Sequence, residues 1–303
     1  MTTCLKIPLD AAKAWNADNV FKHSAAVSFY TLFSLAPISI IVVTIIGFFF
    51  GKDQASRQFE AQITQLVGPA SAEVVRVTAQ ASQISERSRF ATSVGIILLL
   101  VGATTVFGQI QDSLNDIWRV KAKPTRSSWL IILIRRLVSF AMVLTIGFLL
   151  LVSLVISTLI ESVRELFTPG LSISPVLLQT VNVAIGFVVI TLLFALLFKF
   201  LPDVKLRWSD VWIGATLTSL LFSGGRYLIA LYLGHSTVAS IYGTAGSLVA
   251  LLIWIYYSCA IFFYGVEFTR VYRSTHGFEV EPKSTAVRVR EQIIEETASP
   301  PTN

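Results

Sequence analysis

Long runs without a charged residue alternate with short polar segments along this chain, and the runs have the length of membrane helices. A helix rises about 1.5 Å per residue, so roughly 20 apolar residues cross a hydrocarbon core about 30 Å thick. Uncharged runs at 27–50, 91–108, 137–160 and 171–198 meet that length. The last apolar block, 211–266, holds a single charge, Arg226, and Gly234-His235-Ser236-Thr237 divides it into two spans. The pattern therefore predicts an all-α, polytopic membrane protein of about six transmembrane helices, with spans at about 27–50, 91–110, 137–160, 176–198, 211–233 and 246–268.

The polar segments have patterns of their own. Residues 1–26 place Leu9, Ala12 and Trp15 at helical spacing among Lys6, Lys13 and Lys22, which suits a short interfacial helix ahead of the first span. The apolar run that follows exceeds the 7–15 residues of a signal-peptide core, so it reads as an anchor that stays. In the 51–90 loop, Phe59, Ile63, Leu66, Ala70, Val74, Val77, Ala81 and Ile84 recur at steps of three or four. Gly68-Pro69 interrupts them, predicting two amphipathic helices on the outer face. The tail, 269–303, turns polar, carries Pro282, Pro300 and Pro301, and is expected to be mostly disordered, apart from a turn or two of helix around 287–296.

Composition sharpens this to one class. The chain has 303 residues, of which 54% are hydrophobic and only 14% charged, with a mean hydropathy of +0.70, whereas a soluble domain carries roughly 25% charged residues. The formal charge of +6 is concentrated in alternate segments: 1–26, 119–136, 199–207 and the region after 269. By the positive-inside rule these belong on the cytoplasmic side, as do both termini. Cys4 and Cys259 lie in unlike settings, one terminal and one within an apolar run, and give no disulfide framework.

Four segments taken together resemble the YihY/BrkB family of bacterial inner-membrane proteins: HSAAVSFYTLFSLAP at 23–37, QDSLNDIWRV at 111–120, LPDVKLRWSDVWIGA at 201–215, and YGTAGSLVALLIWIYY from Tyr242. The resemblance covers roughly 15–272. It implies a multi-pass protein of the cytoplasmic (inner) membrane with six helices. The family has carried a ribonuclease label, a serum-resistance association and suggestions of envelope-lipid or solute export, which differ in class.

The first span gathers Tyr30, Ser34 and Pro37 at spacings of four and three, on one helical face. Proline frees a carbonyl one turn back, so this face is either a packed kink whose hydroxyls bond their own backbone, or the lining of a substrate path. Arg226 stands within the fifth span after Gly224-Gly225. A charge at that depth costs on the order of 2 to 3 kcal/mol, which makes it either a functional residue drawing an anionic lipid or solute, or a snorkelling or paired structural one. Its candidate partners are Glu161 and Glu165. Tyr242, Gly243, Gly246 and Ser247 open the last span with small residues that suit close helix packing or the same path. Glu267 closes that span, near Arg270 and Arg273, and reads as an interfacial ion pair with one of the two or a coupling charge. Asp112 and Asp116 are expected to pair with the bases of the 119–136 loop, which suits anionic lipid, and Asp203 and Asp210 to fix the turn near Lys205 and Arg207.

Catalysis finds no support in the pattern. His23, His235 and His276 fall inside, outside and inside in this topology, so they do not converge for acid–base or metal work, and no phosphate loop or zinc spacing is present. No enzyme activity, cofactor, metal or nucleic-acid partner is expected. The partners expected are membrane lipids, anionic ones included, with a homo-oligomer open. Two functions stand: a transporter or exporter of lipid or another anionic or amphiphilic envelope solute, and a non-transporting scaffold or accessory protein supporting the envelope.

Overall fold

The computed structural model describes residues 2–34, 105–123, helical pieces between 137 and 156, 175–235 and 246–289. Six helical segments can be named. Helix α1 is Thr2–Ala17, α2 is 20–34, α3 is 105–117, α4 is Pro175–Phe200, α5 is Trp208–His235 and α6 is Gly246–Thr275. The uncharged runs explain the last three, because nothing in them interrupts helical hydrogen bonding until a polar turn arrives. Two of the described helices, over Gln179–Phe200 and Leu248–Thr275, are long and apolar enough to cross a membrane. The predicted amphipathic pair at 51–90 and much of the first three predicted spans lie outside the described residues.

Helices α4, α5 and α6 pack in succession around aromatic rings. Phe194 meets Phe222 edge-on at 5.6 Å between centroids, Phe198 meets Phe262 at 5.3 Å, and Phe262 meets Phe263 at 5.2 Å. Val183, Val188, Leu220, Tyr227, Leu228 and Leu231 on α4 and α5 are exposed. An apolar exterior of that extent suits lipid rather than water.

Helix α1 is amphipathic, burying Ile7 and Ala11 while Lys6, Asp10 and Lys13 stay exposed. Its apolar side lies on α6: Trp15 Nε1 donates to the Ala260 carbonyl at 3.0 Å, and Tyr264 Oη to the Pro8 carbonyl at 3.1 Å. It is thus part of the helical packing as well as a lead into the first span.

The described part of the tail, to residue 289, departs from expectation: it continues α6 to Thr275 and then forms two short strands, while most of the helical turn expected at 287–296 lies outside the described residues. Strand β1, Val120–Ala122, pairs antiparallel with β4, Ala286–Arg288, and β2, Val204–Lys205, with β3, Glu281–Pro282. The Lys283 amide donates to the Asp203 carbonyl at 2.9 Å and the Val289 amide to that of Arg119 at 2.9 Å. The backbone groups that the polar composition seemed to leave to water are satisfied by loops distant in sequence. The fold is therefore helical with a small strand clasp across the end where α2 begins, α3 and α4 end, α5 begins and α6 ends. The described parts of the basic segments, at 119–123, 199–207 and after 269, come together at this end.

Candidate functional site

The clasped end is organised by the turn between α1 and α2. Asn19 adopts a left-handed backbone, φ 51°, which asparagine tolerates better than most residues. The Asp18 amide closes on the Ala14 carbonyl at 2.8 Å and that of Lys22 on Asn19 at 2.9 Å. This turn aims Asp18 between two helices. Its Oδ2 accepts from Arg270 Nη2 of α6 at 2.8 Å, and its Oδ1 accepts from Arg119 Nη2 at the end of α3. Arg270 also holds Glu267 Oε2, from Nε at 2.9 Å and Nη2 at 2.7 Å. Glu267 is 0% exposed, and its Oε1 has no partner among the described residues.

Beside this cluster a cavity of about 530 Å³ opens between α2 and α3. Asp18, Asn19, Lys22, His23 and Ala26 form one wall; Gln109, Asn115, Asp116, Arg119 and Lys121 form the other; Val289 of the clasp closes the rim. His23 Nδ1 lies 3.1 Å from Ser113 Oγ, which also accepts from Gln109 Nε2 at 3.4 Å. With the amide donating to Ser113, the serine hydrogen is free for Nδ1, and the imidazole proton then sits on Nε2. Burial lowers the His23 pKa, the charges of Asp116 and Asp18 oppose the shift, and that of Lys22 adds to it. The net shift favours the neutral ring.

Asn115 is fixed from behind. Its Nδ2 donates to Asp203 Oδ2 at 2.9 Å, and the Asp203 amide returns a bond to Asn115 Oδ1 at 2.8 Å, with Gln111 Nε2 3.4 Å from the other carboxylate oxygen. Asp203 therefore joins α3 to the α4–α5 turn, well beyond the local role expected of it. Asp210 likewise forms a buried ion pair with Arg273 of α6 rather than a surface turn charge. Both acids were visible as turn residues; nothing local marks their partners.

Of the candidate path residues, Tyr30 is 37% exposed and packs edge-on with Phe29, whereas Ser34 is 1% exposed. A spacing of four advances about 40° around a helix, so the two share a face at the bundle margin with different exposure. Ser28 and Thr31 donate to the carbonyls four residues back, at 2.7 Å each. Arg226 is half-buried, its guanidinium 5.5 Å from the Tyr227 ring centroid. Gly246 is buried; of Ser247 only its place in α6 is described. Pro37, Glu161, Glu165, Tyr242 and Gly243 lie outside the described residues. Tyr30, Ser34, Arg226 and Gly246 are not among the described residues that line the cavity.

Of the two bases expected near Glu267, Arg270 pairs with it and Arg273 goes to Asp210 instead, and Asp18 is the member that sequence reasoning missed. Asp116 faces the cavity, and Arg119, the nearest base of the following loop, is held by Asp18 instead. Among the described residues no group of three or more His, Cys, Asp or Glu is placed to hold a metal ion.

Comparison with known proteins finds the family described as Virulence factor BrkB over residues 11–289. A UPF0761 membrane protein of Tolumonas auensis is 27% identical over 252 residues, covering 80% of this chain and 77% of its own length. One from Alteromonas mediterranea is 26% identical over 268 residues, covering 85% and 84%. One from Stenotrophomonas maltophilia is 27% identical over 243 residues, covering 79% of this chain, which spans only 54% of that relative. No solved structure matches the chain.

Proposed function

The chain is a membrane protein of the Virulence factor BrkB family, and on that premise we propose that it moves an anionic or amphiphilic envelope solute, lipid included, across the bacterial inner membrane. In this reading it crosses that membrane about six times, and the clasped end faces the cytoplasm, where the positive-inside rule puts its basic residues. The supporting observation is the cavity between α2 and α3. A scaffold held together by helix packing has no need of 530 Å³ of polar space at the foot of its first span. Lys22 and Lys121 on its walls raise the local concentration of anions, and Ala26 carries the lining to the foot of the first span.

Proteoliposomes test this directly. Wild-type protein is expected to accelerate movement of a fluorescent phosphatidylglycerol relative to protein-free vesicles. Ala26→Trp, which fills the cavity from its wall, is expected to abolish the acceleration while the protein stays folded by circular dichroism. Wild-type vesicles no faster than empty ones, for lipid and soluble anions alike, would remove the transport reading in favour of the scaffold.

A further inference from the structure

The charges on the cavity wall do not all remain available to a ligand. Arg119 and Asp18 neutralise each other, Arg270 adds a second base to Asp18, and Asn115 is held by Asp203. What remains is a pair of ammonium groups, Lys22 on α2 and Lys121 on β1, and one carboxylate, Asp116 on α3. No ion pair joins these three to other described residues. All three are exposed, and the His23 ring of the α2 wall reaches Ser113 of α3 through Nδ1.

A site for a simple anion would gain nothing from Asp116, whose charge repels phosphate or carboxylate. Two cations and one anion facing a shared space instead match a ligand with an anionic phosphate, whose several oxygens take both ammonium groups, and a positive group beside it. We propose that this cavity binds a group carrying both a phosphate and a primary amine, as in phosphoethanolamine, with the phosphate on Lys22 and Lys121 and the ammonium on Asp116. The volume lies within the roughly 300–1,000 Å³ of small-molecule sites. Position agrees as well: in the six-span reading the cavity stands at the foot of the first span, the level at which a lipid headgroup would lie. This inference rests on reading the cavity as a ligand site, as the transport proposal does, but it concerns binding and is tested without transport.

Binding is measured on the detergent-solubilised full chain by calorimetry, with O-phosphoethanolamine, glycerol 3-phosphate and ethanolamine as probes. Phosphoethanolamine is expected to bind at least about tenfold more tightly than glycerol 3-phosphate, the scale of one charge-assisted hydrogen bond. Asp116→Asn should erase that preference, and Lys22→Gln with Lys121→Gln should weaken both phosphate compounds. A second arm places the protein in nanodiscs of phosphatidylethanolamine or phosphatidylglycerol and reads thermal stability. Stabilisation by phosphatidylethanolamine that Asp116→Asn removes identifies a lipid headgroup as the source; binding of the free compound without it identifies a soluble one. Equal affinity for the two phosphates, a preference that survives Asp116→Asn, or no binding in either arm overturns the proposal. Binding without transport would leave this site standing and remove the transporter.

Discussion

The hydroxyl of Thr269 on α6 lies 1.9 Å from where a β-carbon on Gly214 of α5 would stand. The relationship is reciprocal, because the hydroxyl of Thr218 lies 1.8 Å from the corresponding position at Gly265. Each threonine donates to the carbonyl four residues back, Thr218 to Gly214 at 2.7 Å and Thr269 to Gly265 at 2.8 Å. Each antiparallel helix thus offers a glycine as the socket and a threonine as the plug. Gly214→Ala or Gly265→Ala is expected to push the helices apart, at a cost of about 1–3 kcal/mol or more. The double variant Gly214→Ala/Thr269→Ala should recover part of the loss in detergent melting experiments. Simple additivity of the two changes would count against the plug-and-socket account.

Arg273 and Asp210 tie the same two helices together lower down, where both side chains are buried. Arg273 Nη2 also donates to the Glu279 carbonyl at 3.1 Å, so the pair anchors the chain entering the clasp. Arg273→Met leaves Asp210 buried without its counter-charge and is expected to destabilise by about 3–5 kcal/mol. Combining it with Asp210→Leu should cost less than Arg273→Met alone, measured by the same melting assay.

Asp18 joins three elements through Arg119 and Arg270. Asp18→Asn is expected to cost on the order of 3 kcal/mol, at the low end for a buried pair, because Arg119 is half exposed and its share is screened. The clearest readout is local: tryptic cleavage after Arg119 should accelerate relative to wild type. An unchanged cleavage rate would show that β1 is held by its strand pairing alone.

His23 supplies a pH dependence whose sign is determined by its burial. Asp18 and Lys22 from its own turn and helix, Asp116, Arg119 and Lys121 from the facing wall, and the Phe263 ring from α6 surround it. Its folded-state pKa lies below the ordinary 6.5, so the unfolded chain takes up the proton first as pH falls. The stability contributed by the neutral ring is present above about pH 6.5 and is lost as pH falls from there through the folded pKa. Melting temperature against pH should therefore drop less steeply between pH 7 and 5 for His23→Gln than for wild type.

The Asp203 and Asn115 pair makes a fifth test. Asp203→Ala removes the acceptor of a buried amide and is expected to cost about 1–3 kcal/mol for the group left unsatisfied. Loosening of α3 from the α4–α5 turn should appear as faster hydrogen exchange at the Asp203 and Lys283 amides.

Hydropathy and charge placement along the chain were enough to locate α4, α5 and α6 to within a few residues at most of their ends, because an uncharged run of that length has few other folds open to it. They also grouped basic segments whose described parts meet at the clasped end, and put Arg270 and Arg273 near Glu267, since all three lie on one helix and their spacing follows from its pitch. Asp18, Asp203 and Asp210 could not be assigned in this way. Each is a short polar side chain at a turn, and its meaning depends on Arg270, Asn115 or Arg273, which only helix packing brings near. The clasp escaped for the same reason, since β3 and β4 have no pattern of their own and gain their hydrogen bonds from loops far away in the chain. The cavity belongs to the tertiary level too: Lys22, Asp116 and Lys121 acquire a common space only when α2 stands beside α3.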